Sequence, residues 1–210
     1  MLMRAGVILK DLNGSLLRKG GVRKNLLYFV NNIHFLQGIL IERTPYKDSV
    51  YIWLVVCPLF RPIDLVSLNY SKRILGGGLV TGSPREISNK TLSYLHNSDD
   101  EIISSLNTPV EIHSFLEARL KVSNWRNNPI IPEIYDFGVM FAAAGQISNA
   151  VDCLNKCYAR LDDVGNQKMK IAVEILLKTL KYSEHNIMTV IRRIEEESIV
   201  RLGLVTDLRV

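Results

Sequence analysis

Apolar residues recur with two different periods along this chain, and the change from one to the other organises it. Val7, Ile8, Leu12 and Leu16 recur at helical spacing among Arg4, Lys10 and Asp11, which predicts an amphipathic helix over 2–18 that Gly20 and Gly21 end. Three strands are then predicted, at 25–30, 34–43 and 49–60. Thr44, Pro45, Tyr46, Lys47 and Asp48 are turn formers, so 34–60 reads as a β-hairpin. In its second strand Ile52, Leu54 and Val56 alternate with Tyr51, Trp53 and Val55. Both faces are apolar, which predicts a central strand covered on both sides, one of them by the first helix. Pro58 and Pro62 end that strand, since proline cannot donate to a ladder. Residues 71–81 read as one further strand or an irregular loop around Gly76, Gly77 and Gly78.

From residue 83 the period is helical. Ser83-Pro84-Arg85-Glu86 and Thr108-Pro109-Val110-Glu111 are capping boxes with proline at the first helical position. They predict helices to about 96 and 122, with a short helix over 99–106 between them. A polar break at 124–129 precedes four helices, 132–144, 147–161, 165–182 and 184–200. The fold class expected is α+β: a small antiparallel sheet with an N-terminal helix, then an all-helical bundle of stacked hairpins. The division expected is 1–123 and 124–210, with a shared core left open.

Gly138 and Phe141 on one predicted helix, Gly145 in the turn and Ala150 on the next resemble a tetratricopeptide repeat over 132–163. Small residues at 138 and 150 let two helices approach closely. Leu154, Cys157 and Asp162 depart from that family's pattern, and 165–200 keeps its length without its signature. The resemblance implies a surface for another protein. More faintly, the order helix, hairpin, apolar strand resembles small bacterial α+β domains, some of them antitoxin or immunity proteins, although no diagnostic residue carries that likeness.

Composition changes the picture in one respect. The net charge of +5 conceals an asymmetry: residues 1–98 hold 13 Lys/Arg against 5 Asp/Glu, or +8, and residues 99–210 hold 13 against 16, or −3. A basic half suits an acidic partner as well as it suits plain solvation. Arg18, Lys19, Arg23, Lys24, Lys72 and Arg73 are the candidate partner or phosphate contacts. The most apolar run, 50–60, is too short to span a bilayer, and the N-terminus makes a poor signal peptide, so a soluble cytoplasmic protein is expected.

Catalytic chemistry finds no foothold. His34, His96, His113 and His185 stand at no zinc-binding spacing, and Cys153 and Cys157, four apart, read as buried neighbours on one helix face. Gly76–Gly78 lacks the lysine-serine end of a phosphate loop, and no serine sits in a nucleophile elbow. Glu42 and Asp48 flank the hairpin and read as surface charges for Arg43 or Lys47. No catalytic residue, metal or cofactor is therefore expected. The function expected is a non-enzymatic protein-binding module, in concrete form an immunity or inhibitor protein that masks a toxin or enzyme. The alternative is nucleic-acid binding through the basic half. Pairing of helical hairpins leaves a homo-oligomer open.

Overall fold

A computed structural model describes residues 5–16, 20–29, 34–63, 65–97, 110–122, 129–161 and 166–204. The architecture is α+β: a small antiparallel sheet with an N-terminal helix, followed by a helical bundle. The chain divides into two compact units, Met1–Cys57 with Val66–Pro109 and Leu204–Val210, and Pro58–Leu65 with Val110–Gly203. The division differs from the sequence expectation at its C-terminal end, where Leu204–Val210 belongs to the first unit, and in two other places. The segment Pro58–Leu65 joins the helical unit, and so does the helix after residue 110.

The first unit holds α1 (Ala5–Ser15), β1 (Gly21–Arg23), β2 (Leu26–Phe29), β3 (Phe35–Arg43), β4 (Ser49–Pro58), β5 (Lys72–Arg73), β6 (Val80–Thr81) and α2 (Pro84–Asn97). The strands run in the order β1-β2-β3-β4-β5, with β6 also on β4. Strand β4 is central, as expected. Its outer edge is occupied by two short pieces rather than one strand: β5 opposite Trp53 and Leu54, and β6 opposite Ser49 and Val50. Between them Leu75, Gly76 and Gly77 all take positive φ, and the chain bulges away from the ladder. The glycine run is thus a turn at a sheet edge, not a phosphate cradle at a helix start.

One face of this sheet makes the unit's core. Leu27, Ile39, Ile41, Val50, Ile52, Leu54, Ile74 and Val80 meet Ala5, Ile8, Leu9 and Leu12 of α1 and Ile87 and Leu95 of α2. Strand alternation and helical spacing bring these residues to one side. The first helix covers the sheet as expected, and α2 shares that role. The Ser83 box forms: the Ser83 amide donates to Glu86 (2.6 Å) and the Glu86 amide to Ser83 Oγ (3.3 Å). The Ser83 amide, and after it the Ser83 hydroxyl, hold the Glu86 carboxyl below its ordinary range. Asn13 exchanges two hydrogen bonds with the backbone of Gly20 just beyond α1.

The helical unit holds α3 (Ile112–Val122), α4 (Ile131–Ala143), α5 (Ile147–Leu161), α6 (Gln167–Tyr182) and α7 (Ile187–Leu202). Helices α4 and α5 form a close hairpin; α6 packs on α5, and α7 packs on α6 and α4. Gly138 is the contact that lets α4 and α5 approach, since a methyl there would lie 2.8 Å from Leu154 Cγ. Gly145 turns the chain with φ of 71°, and the Gln146 amide closes the helix end on the Phe141 carbonyl (2.8 Å). The expected helix at 99–106, residue Thr108 of the second capping box, and 205–210 lie outside the described residues.

The segment Pro58–Leu65 is bound to the bundle by buried polar groups. Arg61 donates from Nε to Asp136 Oδ1 (3.0 Å) and from Nη2 to Asp136 Oδ2, a bidentate pair in which both side chains are buried. The Tyr135 hydroxyl donates to the Phe60 carbonyl (3.0 Å), and Ser198 Oγ to the Arg61 carbonyl (2.6 Å). Burial, reinforced by the Asp136 charge, pushes the Tyr135 phenol well above its usual range. Fully buried Glu195 acts on the same phenol.

Candidate functional site

Two surfaces of the molecule have chemistry that the two cores do not consume. One lies on the sheet face turned away from α1 and α2. Strand alternation places Tyr51 and Trp53 of β4 there, and pairing with Trp53 places Arg73 there too. The Arg73 guanidinium lies 3.9 Å from the Tyr51 ring centre and 4.6 Å from that of Trp53. Glu42 fixes the group, accepting from Trp53 Nε1 (2.8 Å) and from Arg73 Nη2 (3.2 Å). Glu42 therefore serves the aromatic cluster, and not Arg43 or Lys47 as the sequence suggested. The covering of β4's second face at this end is a guanidinium rather than a helix.

The six basic candidates do not form one set. Arg18 and Lys19 lie outside the described residues. Lys24 is exposed in the β1–β2 turn with φ of 51°. Lys72 and Arg73 are consecutive strand residues, so their side chains leave opposite faces of the sheet, and only Arg73 joins the aromatic pair. Arg23 does share that face. It pairs with Leu26, which pairs with Leu40, and Leu40 lies two residues from Glu42 on the same strand. Sequence reasoning named Arg73 and Arg23 but missed Tyr51, Trp53 and Glu42 as their companions. The available signal was two aromatics two residues apart on a strand, which read equally well as core.

The other surface is on α6. Ile171, Ile175 and Tyr182 are exposed, at 46, 47 and 68% of their full accessibility, and successive spacings of four and seven put them on one helix face. Lysines at 168, 178 and 181 flank this row. Two shallow grooves also open on the helical unit. The first, about 310 Å³, is lined by apolar groups and Arg160 beside Asn166; the second, about 510 Å³, holds Glu184 and His185 at the ends of helices. Neither gathers a set of ionisable groups of the kind catalysis needs.

All three cysteines are buried thiols outside any disulfide. Burial raises Cys153 to about 11 and Cys157 to about 12, the latter helped by Asp136. The folded values exceed the ordinary 9.0, so the stability they contribute is intact below pH 9 and is lost as pH rises toward 11. At neutral pH the folded chain should resist a disulfide-exchange reagent, and all three thiols should react once guanidinium unfolds it. Fast reaction of any thiol in the folded chain would contradict this burial.

Among the described residues no group of three or more His, Cys, Asp or Glu is placed to hold a metal, and no helix is long and apolar enough to cross a membrane. Compared with models of protein families, with curated proteins and with solved structures, the chain matches none.

Proposed function

We propose that this chain is a non-enzymatic protein-binding module that docks its partner on α6, and that its concrete role is that of an immunity or inhibitor protein masking a toxin or enzyme. The observation that carries the reading is the exposed row Ile171, Ile175 and Tyr182. Apolar side chains on one helix face, rimmed by lysines, suit a partner surface that is apolar at its centre and acidic at its edge. The close α4–α5 hairpin around Gly138, with a second hairpin beside it, supports a repeat-like scaffold for such a face.

The test compares the tagged chain with a variant carrying Ile171→Asp and Ile175→Asp, each recovered from its native cell after nuclease treatment and a high-salt wash. A partner protein held by the parent chain and lost by the variant is the expected result. That partner's own toxic or enzymatic activity should fall when the parent chain is added back. Recovery of the same proteins with both chains, or of none with either, overturns the reading.

A further inference from the structure

We infer that the exposed row of α6 is a coiled-coil seam, and that its occupant is an acidic amphipathic helix of the partner protein. The inference rests on the reading of α6 as the docking face and adds the chemistry of what docks there.

Spacing points to a helix. Lys168, Ile171, Ile175, Lys178 and Tyr182 are all exposed and follow one another at intervals of three, four, three and four. That is the heptad spacing of seam positions, kept along nearly the whole of α6. At about 100° per residue the five fall in a stripe roughly 80° wide and about 21 Å long. The helix has already used another face for its core: Ala172, Val173 and Leu176 are buried on the side turned away from this stripe. A surface helix ordinarily turns polar residues away from its core. Two isoleucines and a tyrosine stand there instead, at the one spacing that a second helix can follow by seating its side chains between them.

Charge selects which helix. In the seam Ile171 and Ile175 are bracketed by Lys168 and Lys178, and exposed Lys181 lies beside it. The acidic residue of α6, Glu174, is committed to α5, where it accepts from the Tyr158 hydroxyl (2.8 Å). The order Lys, Ile, Ile, Lys at three, four and three reads the same in both directions. Two copies of this chain paired on their isoleucines would therefore set lysine against lysine, whether parallel or antiparallel, and like charges so placed repel. A lipid surface fits no better, because interfacial helices carry their lysines on the polar face, whereas Lys168 and Lys178 stand within the apolar row. A helix with apolar residues at two successive seam positions and glutamate or aspartate at the seam positions on either side answers every one of these groups.

The probe is a labelled synthetic peptide of about 21 residues, three heptads, with leucine at the two central seam positions and glutamate at those on either side. Its anisotropy is followed with the full chain, beside a counterpart carrying lysine for glutamate. The acidic peptide should bind saturably and gain helical circular dichroism, and the basic one should bind at least about tenfold more weakly. Lys168→Glu with Lys178→Glu should reverse that preference. The Ile171→Asp, Ile175→Asp variant should lose both peptides, and Lys121→Glu, exposed on α3, should bind as the parent does. Circular dichroism checks that each variant is folded; if the aspartate variant is not, the reversal by the two lysine variants decides. No binding of the acidic peptide by the folded parent, equal binding of both peptides, or binding without a gain of helix overturns the proposal. So does sedimentation as a dimer that the aspartate variant abolishes, which assigns the seam to a second copy. Flotation with phosphatidylserine vesicles that the same variant abolishes assigns it to lipid. The docking reading is judged separately: a partner recovered through Ile171 and Ile175 that excess acidic peptide leaves in place keeps α6 as the docking face and removes the acidic helix from it.

Discussion

Replacing Asp136 with alanine is expected to cost about 3–5 kcal/mol of stability, the usual consequence of stranding a buried charge by removing its partner. The reasoning turns on what is left behind. Arg61 is 4% exposed and donates two of its hydrogen bonds to Asp136. Without the carboxylate its guanidinium loses both of those bonds and keeps the longer one to the Pro132 carbonyl, at 3.4 Å. The loss should appear as a lower urea midpoint. Asp152→Ala, on the exposed side of α5, should stay within about 0.5 kcal/mol of the parent. The double replacement Arg61→Met, Asp136→Leu should recover most of the loss, because an ion pair exchanged for apolar groups of similar volume is often nearly neutral. A shift under about 1 kcal/mol for Asp136→Ala would mean that this pair does not anchor Pro58–Leu65.

Gly38→Ala carries the second large effect, and here two tendencies oppose each other. Propensity favours alanine, since glycine in a strand interior costs about 0.5–1 kcal/mol. Sterics oppose it. A methyl at residue 38 would overlap the Leu27 carbonyl oxygen and lie 3.1 Å from Tyr28 Cα. Both obstacles are backbone, fixed by the pairing of Tyr28 with Gly38 and Leu27 with Ile39, so no side chain can swing aside. Overpacking costs about 1–3 kcal/mol even where side chains yield, and the expected loss is at the top of that range, about 3 kcal/mol. Gly14→Ala is the matched control. Nothing lies within 4 Å of a methyl at that helical position, and the expected sign reverses to a gain of about 0.5–1 kcal/mol. Thermal melts of the two variants check both signs; equal shifts would refute the steric account.

How much of the fold is legible in the sequence depends on how far apart the cooperating residues lie. The Ser83 and Glu86 box is a three-residue event, and the helix it starts can be read from that local pattern alone. Helix α5 falls on its predicted bounds because Ile147, Ala150, Cys153, Leu154, Cys157 and Leu161 keep one stripe. The close approach at Gly138 is also legible, since a small residue on an apolar helix leaves few other uses. Arg61 and Asp136 are not: they are 75 positions apart, and each alone looks like an ordinary charge near a proline or a helix start. Strands β1, β5 and β6 escape for another reason. Two or three residues cannot display a period of two, so only pairing with β2 or β4 defines them. The Arg73 cluster combines both difficulties. Its members come from three strands, and what makes Tyr51 and Trp53 more than core is a guanidinium delivered by a strand without a signature.

The bulge between β5 and β6 has a bearing on how this molecule behaves when crowded. A long straight strand beside β4 would offer a second molecule a row of free amides and carbonyls to extend. Here Leu75, Gly76 and Gly77 break that border into two-residue pieces, and the opposite border, β1, is only three residues long. Neither side gives a foreign strand enough continuous backbone to zip against. The two apolar strands most prone to amyloid, β3 and β4, are thereby kept in the interior of the ladder, shielded from intermolecular growth while the sheet stays folded.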